Sequence, residues 1–204
     1  VVRLGLRRVI TLGWFLASAP VLTLFIDDFT LLLLLRTIYG LGFALLIPAL
    51  GPLTMQWFRP RELPLINSLG LAVATLAVSL STFSAAPLAG LLGWRMVLSI
   101  FSLVTLLGAF TWVILGRTRD TKYSEQVKLS LRDLWGIMRS RYTILIALAD
   151  LGPFAQYVAL TSWLPTYYHE ELGMTLAQAG FRVGLLPMAG LIALVAAGIG
   201  AIRI

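Results

Sequence analysis

The chain has no cysteine and a single histidine among its 204 residues, which excludes disulfides, thiolate metal sites and a thiol nucleophile at the outset. That histidine, His169, precedes Glu170 and Glu171 but has no second imidazole to complete a zinc site, so it reads as part of a solvated turn. No nucleophile elbow, glycine-rich phosphate loop or H-E-x-x-H pattern occurs. The sequence therefore predicts no enzyme, no cofactor and no metal. Charge is the other scarcity: 12% of residues are Asp, Glu, Lys or Arg, against about 25% in ordinary soluble domains. An initiating Met and a signal-peptide pattern are also missing, and the last residue, Ile204, lies inside an apolar run. The expectation is an internal piece of a longer protein.

What is present is hydrocarbon, 59% of the residues. A bilayer core of about 30 Å takes about 20 helical residues. Six apolar runs have that size: Val9 to Ile26, Phe29 to Trp57, Leu65 to Leu92, Met96 to Leu115, Tyr142 to Tyr168 and Leu176 to Ile202. The expected fold class is all-α, a polytopic integral membrane helical bundle of six transmembrane helices. The formal charge of +7 does not point to nucleic acid, because the cations fall in short loops between apolar runs instead of forming one surface. If the spans alternate in direction, thirteen Lys or Arg lie on one side and only Arg95 on the other. Positively charged loops stay cytoplasmic, which fixes the expected orientation.

The longest polar stretch, Gly116 to Arg141, divides the chain. Residues 1–115 are expected to form part of an N-terminal bundle with four spans, 116–141 a cytoplasmic linker, and 142–204 part of a C-terminal bundle with two spans. Within the linker, Ser130 and Asp133 read as a capping box, and Leu131, Leu134, Trp135 and Met138 recur at helical spacing opposite Arg132, Asp133 and Arg139. This predicts a short amphipathic helix on the cytoplasmic face.

A charge at the centre of a bilayer costs a few kcal/mol, about 3 on insertion scales, and must face protein or water. Three stand inside the spans: Arg36, Asp150 and Arg182. Their positions put Arg36 about 10 Å, Asp150 about 14 Å and Arg182 about 9 Å along their helices. Asp150 is near the midplane, Pro153 removes a backbone hydrogen bond one turn on, and Tyr157 and Thr161 continue on its face. Broken helices near the midplane are where transporters bind ions and substrates, so Asp150 is read as functional ahead of a buried structural acid. Arg36 and Arg182 either serve the same pathway or snorkel to the headgroups. Asp150 and Arg182 are also placed to pair. Gly180 and Gly184, followed by Ala193, Ala197 and Ala201, predict close helix packing, and so does the stripe of Ser68, Thr75, Ser79 and Thr82 with Ala72 and Ala86 between.

Several stretches resemble the major facilitator superfamily of secondary transporters. Val2 to Ile10, with Gly5, Arg7 and Arg8, looks like the tail of that family's cytoplasmic signature G-x-x-x-D-R-x-G-R-R, and Val2 stands where the signature has its Asp. Arg36, Gly40 and Gly42 resemble the fourth-helix signature, Gly93-Trp94-Arg95 the turn before the sixth helix, and Ser162 to Tyr167 with Leu172-Gly173 the end of the seventh. The antiporter motif of the fifth helix is reduced to Pro87 and Gly90, with Ala86 in place of a Gly. The resemblance covers helices three to eight of twelve.

It implies alternating access by two bundles in a prokaryotic inner membrane, with the 116–141 loop cytoplasmic and the lipid bilayer as surroundings. The small-molecule solute is expected to be an organic or inorganic anion, as in the cyanate, nitrate and organic-anion branches. A proton or another ion couples its symport, or it moves by uniport. Alternatives are drug or amphiphile efflux by the same fold, and a six-helix scaffold or sensor subunit that transports nothing. No nucleic-acid partner is expected.

Overall fold

The computed structural model describes residues 5–118 and 131–200, which contain helices and no strand. Gly5 adopts φ +76°, a backbone region open to glycine, and turns the chain into α1, Leu6–Ala17. Pro20 cannot donate the next α-helical hydrogen bond, so the path continues as a 3-10 segment, Ala19–Phe25. Asp28 then caps α2, Phe29–Trp57, its Oδ1 accepting the Leu31 N–H at 3.0 Å. After Arg59–Glu62, where the Glu62 carboxylate accepts the Arg59 N–H, Pro64 occupies the first turn of α3, Leu63–Leu92. Gly93, at φ +80°, reverses the chain into α4, Trp94–Leu115. The short α5, Leu131–Met138, precedes α6, Arg141–Glu170. Gly173 is again left-handed, and Thr175 and Gln178 exchange backbone and side-chain hydrogen bonds at 3.2 Å as a capping box for α7, Leu176–Gly200.

Five of the six expected spans lie close to where the apolar runs place them. Leu6–Phe25 forms one crossing from α1 and the 3-10 segment; with α2, α3, α4 and α6 it makes five segments long and apolar enough for a membrane. The remaining expected span is α7, a helix of 25 residues. Residues 201–204 and the loop residues 119–130, including the expected cap Ser130, lie outside the described part, as do the Ala197 side chain and Ala201. The amphipathic segment is helical, with Trp135 and Met138 exposed.

A buried core forms where α1 crosses α2. Val9, Ile10, Ala17, Leu46 and Ala49 form a buried cluster flanked by Trp14, Leu53 and Trp112. Glycine makes the approach possible: a Cβ on Gly42 would lie 2.7 Å from the Gly13 carbonyl oxygen, and one on Gly13 would lie 2.9 Å from Leu46. Lipid tails are as apolar as Leu, so close backbone contact, more than burial, holds such helices. The 3-10 segment and α4 complete this group, the Leu24 N–H donating to Ser99 Oγ at 3.1 Å.

A second seam joins α3 to α7. Gly180 faces the Thr82 carbonyl and Gly184 faces the Phe83 ring, while Phe83 and Phe181 stack with centroids 5.2 Å apart. The close packing expected of Gly180 and Gly184 is thus the role they have. In turn, α6 lies against α7 and buries none of its residues. Two interactions gather one end of α1, α2 and α4: Arg7 Nη2 donates to the Val113 carbonyl at 3.2 Å, and Trp57 Nε1 donates to the Arg117 carbonyl at 3.3 Å. At the opposite end Asp27 and Arg95 form an ion pair. Successive spans therefore run antiparallel, with a basic end and an end marked by Asp27 and Arg95.

Candidate functional site

The three charges inside the spans are all exposed on the described bundle. Arg36 stands two turns into α2, and Gly40 and Phe43 follow on its face at helical spacing. Nothing lies within 4 Å of a Cβ built on Gly40, and Tyr39 stacks on Phe43 with centroids 6.1 Å apart. Arg36 therefore stands beside an open notch and an aromatic wall. Gly42, two residues further, faces the other way into the α1 crossing. The pair taken together from the sequence thus divides, Gly40 leaving space and Gly42 removing it.

On α6, Asp150 is exposed, Tyr157 half-buried and Thr161 half-buried. Thr161 Oγ1 donates to the Tyr157 carbonyl at 2.8 Å, so its proton is spent within the helix and only its lone pairs face outward. The helix continues through both Pro153 and Pro165. Arg182 is exposed on α7, between Phe181 on the α3 seam and the fully buried Val183. Asp150 and Arg182 form no ion pair among the described residues. Nor does α2 touch α6 or α7, so Arg36 stands apart from both.

The remaining expected positions separate into structural and open ones. Gly5 supplies the left-handed turn before α1; Arg7 ties α1 to α4; Arg8 is exposed. Pro87 is exposed within α3, and Gly90 has open space where a Cβ would be. The hydroxyls of Ser68, Thr75, Ser79 and Thr82 all donate to carbonyls of their own helix at 2.8 to 3.1 Å, so their protons are spent within α3. His169 Nδ1 lies 2.7 Å from the Met174 carbonyl and closes a turn. Three clefts, of about 520, 500 and 340 Å³, are lined by residues other than Arg36, Asp150 and Arg182.

Sequence reasoning missed two contacts. The Asp27–Arg95 pair was signalled by the lone cation and the adjacent acids on one side. The bond from Leu24 to Ser99 had no signal, because it depends on the 3-10 turn.

No solved structure matches the chain. An uncharacterised protein of Campylobacter jejuni is 27% identical over 188 residues, which is 92% of this chain and 58% of that protein. A nitrite extrusion protein of Bacillus subtilis is 23% identical over 180 residues, 88% of this chain and 45% of that protein. The chain spans about half the length of these curated relatives. The family model for the Major Facilitator Superfamily matches residues 1–203. Its long apolar helices, reversing direction at each turn, agree with that match: the chain is an integral membrane protein and belongs to the Major Facilitator Superfamily.

Proposed function

We propose that the protein is a secondary active transporter that moves a small organic or inorganic anion by alternating access, coupled to a proton. One observation carries this reading. Three ionisable side chains stand within long apolar helices without an ion-pair partner among the described residues, two cationic and one anionic. Such groups are costly in hydrocarbon and belong in a water-filled pathway or against other polar groups. In this scheme Arg36 and Arg182 offset the charge of the anion, Asp150 carries the proton, and Tyr157 and Thr161 extend the polar track along α6. Gly5, Arg7, Arg8, Gly40, Gly42, Pro87, Gly90 and Pro153 shape the rocking of residues 1–115 against 142–204 about the linker 116–141. The basic end faces the cytoplasm of a prokaryote, across its inner membrane.

The Bacillus subtilis relative supports a small oxyanion and adds a direction. That protein is a nitrite extruder by name, so outward movement of the same anion is the second reading. The test uses proteoliposomes of the full-length protein, loaded with or exposed to nitrite and a set of organic anions under an imposed pH gradient. Flux that follows the gradient, and its loss in Asp150→Asn, is expected. Anion flux equal to that of protein-free vesicles refutes the reading. Reporter fusions at Arg59 and Arg139 appearing on opposite sides would refute the orientation.

A further inference from the structure

At the basic end of α1 a cleft of about 500 Å³ is lined by Arg7, Arg8, Thr11, Leu12 and Phe15. These residues change character with depth along the helix. Arg7 and Arg8 stand in the first turn; Thr11 follows, its hydroxyl donating to the Arg7 carbonyl at 2.9 Å; Leu12 and Phe15 lie deeper, about 8 to 14 Å from the helix start. The helix α4 stands beside this face. Arg7 reaches the Val113 carbonyl, and Phe15 meets Phe110 edge-on with ring centroids 5.7 Å apart. Leu12, Phe15 and Phe110 all remain substantially exposed, at 46%, 39% and 50%.

The charge balance in this groove is one-sided. Neither α1 nor α4 contains an Asp or Glu. Arg7 is tethered to a neutral carbonyl, and Arg8 makes no hydrogen bond or ion pair among the described residues. Two unneutralised guanidinium groups at the headgroup level, above an aromatic and aliphatic slot at acyl-chain level, complement one molecule class in both charge and depth. A soluble anion would match the guanidinium groups but leave the slot unused.

We propose that this groove along α1, beside α4, binds one anionic phospholipid of the leaflet at the basic end. Its phosphate sits on Arg8 and Arg7, and an acyl chain lies along Leu12, Phe15 and Phe110. Basic pockets at helix ends recognise anionic headgroups in this manner.

The test is native mass spectrometry of the full-length protein, with phosphatidylglycerol and phosphatidylcholine supplied at equal concentration in detergent. Preferential retention of one phosphatidylglycerol is expected, weakened about fivefold by Arg8→Gln, the factor that corresponds to losing one cation at an anionic surface. Arg7→Gln removes a helix tether and is open to misfolding, so Arg8→Gln with unchanged circular dichroism is the deciding variant. A second variant, Leu12→Ser, weakens retention through the acyl contact alone. Equal retention of the two lipids, or full retention of phosphatidylglycerol by Arg8→Gln, overturns the proposal. Displacement of the lipid by millimolar glycerol phosphate, with Leu12→Ser showing no effect, also overturns it by identifying a soluble anion as the occupant.

Discussion

The α1–α2–α4 group and the α6–α7 pair are built from the same kinds of residue yet differ in how much they cover. The first holds a buried cluster around Val9, Ile10 and Ala49, and its helices meet backbone to backbone at Gly13 and Gly42. In the second, α6 buries nothing, and α7 is held chiefly through the glycines that face α3. The difference lies in where small residues fall. Packing in a bilayer depends on close approach, so a glycine opposite a neighbour matters more than a leucine opposite lipid. Asp150 and Arg182 both stand on the less covered pair.

Substitutions grade that contrast. Gly42→Leu should have the largest effect, because its Cβ would collide with the backbone of Gly13 and Ala17, which no rotamer change relieves. A loss of about 3 kcal/mol or more is expected, read as a lower unfolding midpoint of the full-length protein in detergent. Gly40→Leu, at an open position on the same helix, should leave that midpoint unchanged. Equal costs at the two glycines would undo the comparison. Gly184→Ala should cost less, about 1 kcal/mol, since the opposing atoms belong to the Phe83 ring, which can move. Asp27→Asn removes an ion pair whose Asp side chain is 85% exposed, so a cost below about 1 kcal/mol is expected. Asp150→Asn should shift stability by less than about 0.5 kcal/mol while abolishing gradient-driven flux. A strong destabilisation by Asp150→Asn would make it a structural acid and remove the basis for its proposed role.

Much of the architecture was legible because a bilayer imposes length and apolarity together. Phe29 to Trp57 was bounded as it stands in the structure, since Asp28 is a cap and Phe58 begins a charged turn. The first span was less legible. Pro20 lies in an apolar run, and nothing in hydropathy distinguishes a 3-10 turn from an α-helical one. Charged residues within the spans could be found from sequence, because charge is rare there. Their relation to one another could not: spacing along one helix fixes the face of Arg36 or Asp150, whereas the separation of α2 from α6 depends on how α3 seats against α7. Pro153 shows the same limit, since a missing N–H predicts a lost hydrogen bond but not whether the helix ends.

The 3-10 segment has one more consequence, for reach. At about 2.0 Å per residue, compared with 1.5 Å in an α-helix, a tighter coil travels further for the same number of residues. The 20 residues of Leu6–Phe25 therefore extend by about 3 Å more than an unbroken α-helix would, enough to cross a hydrocarbon layer nearly upright. Its neighbour Phe29–Trp57, with 29 residues, exceeds that thickness by more than 10 Å and must lean or protrude. Fastened to the shorter span, α2 has to take up the excess length by tilting or by extending past the hydrocarbon.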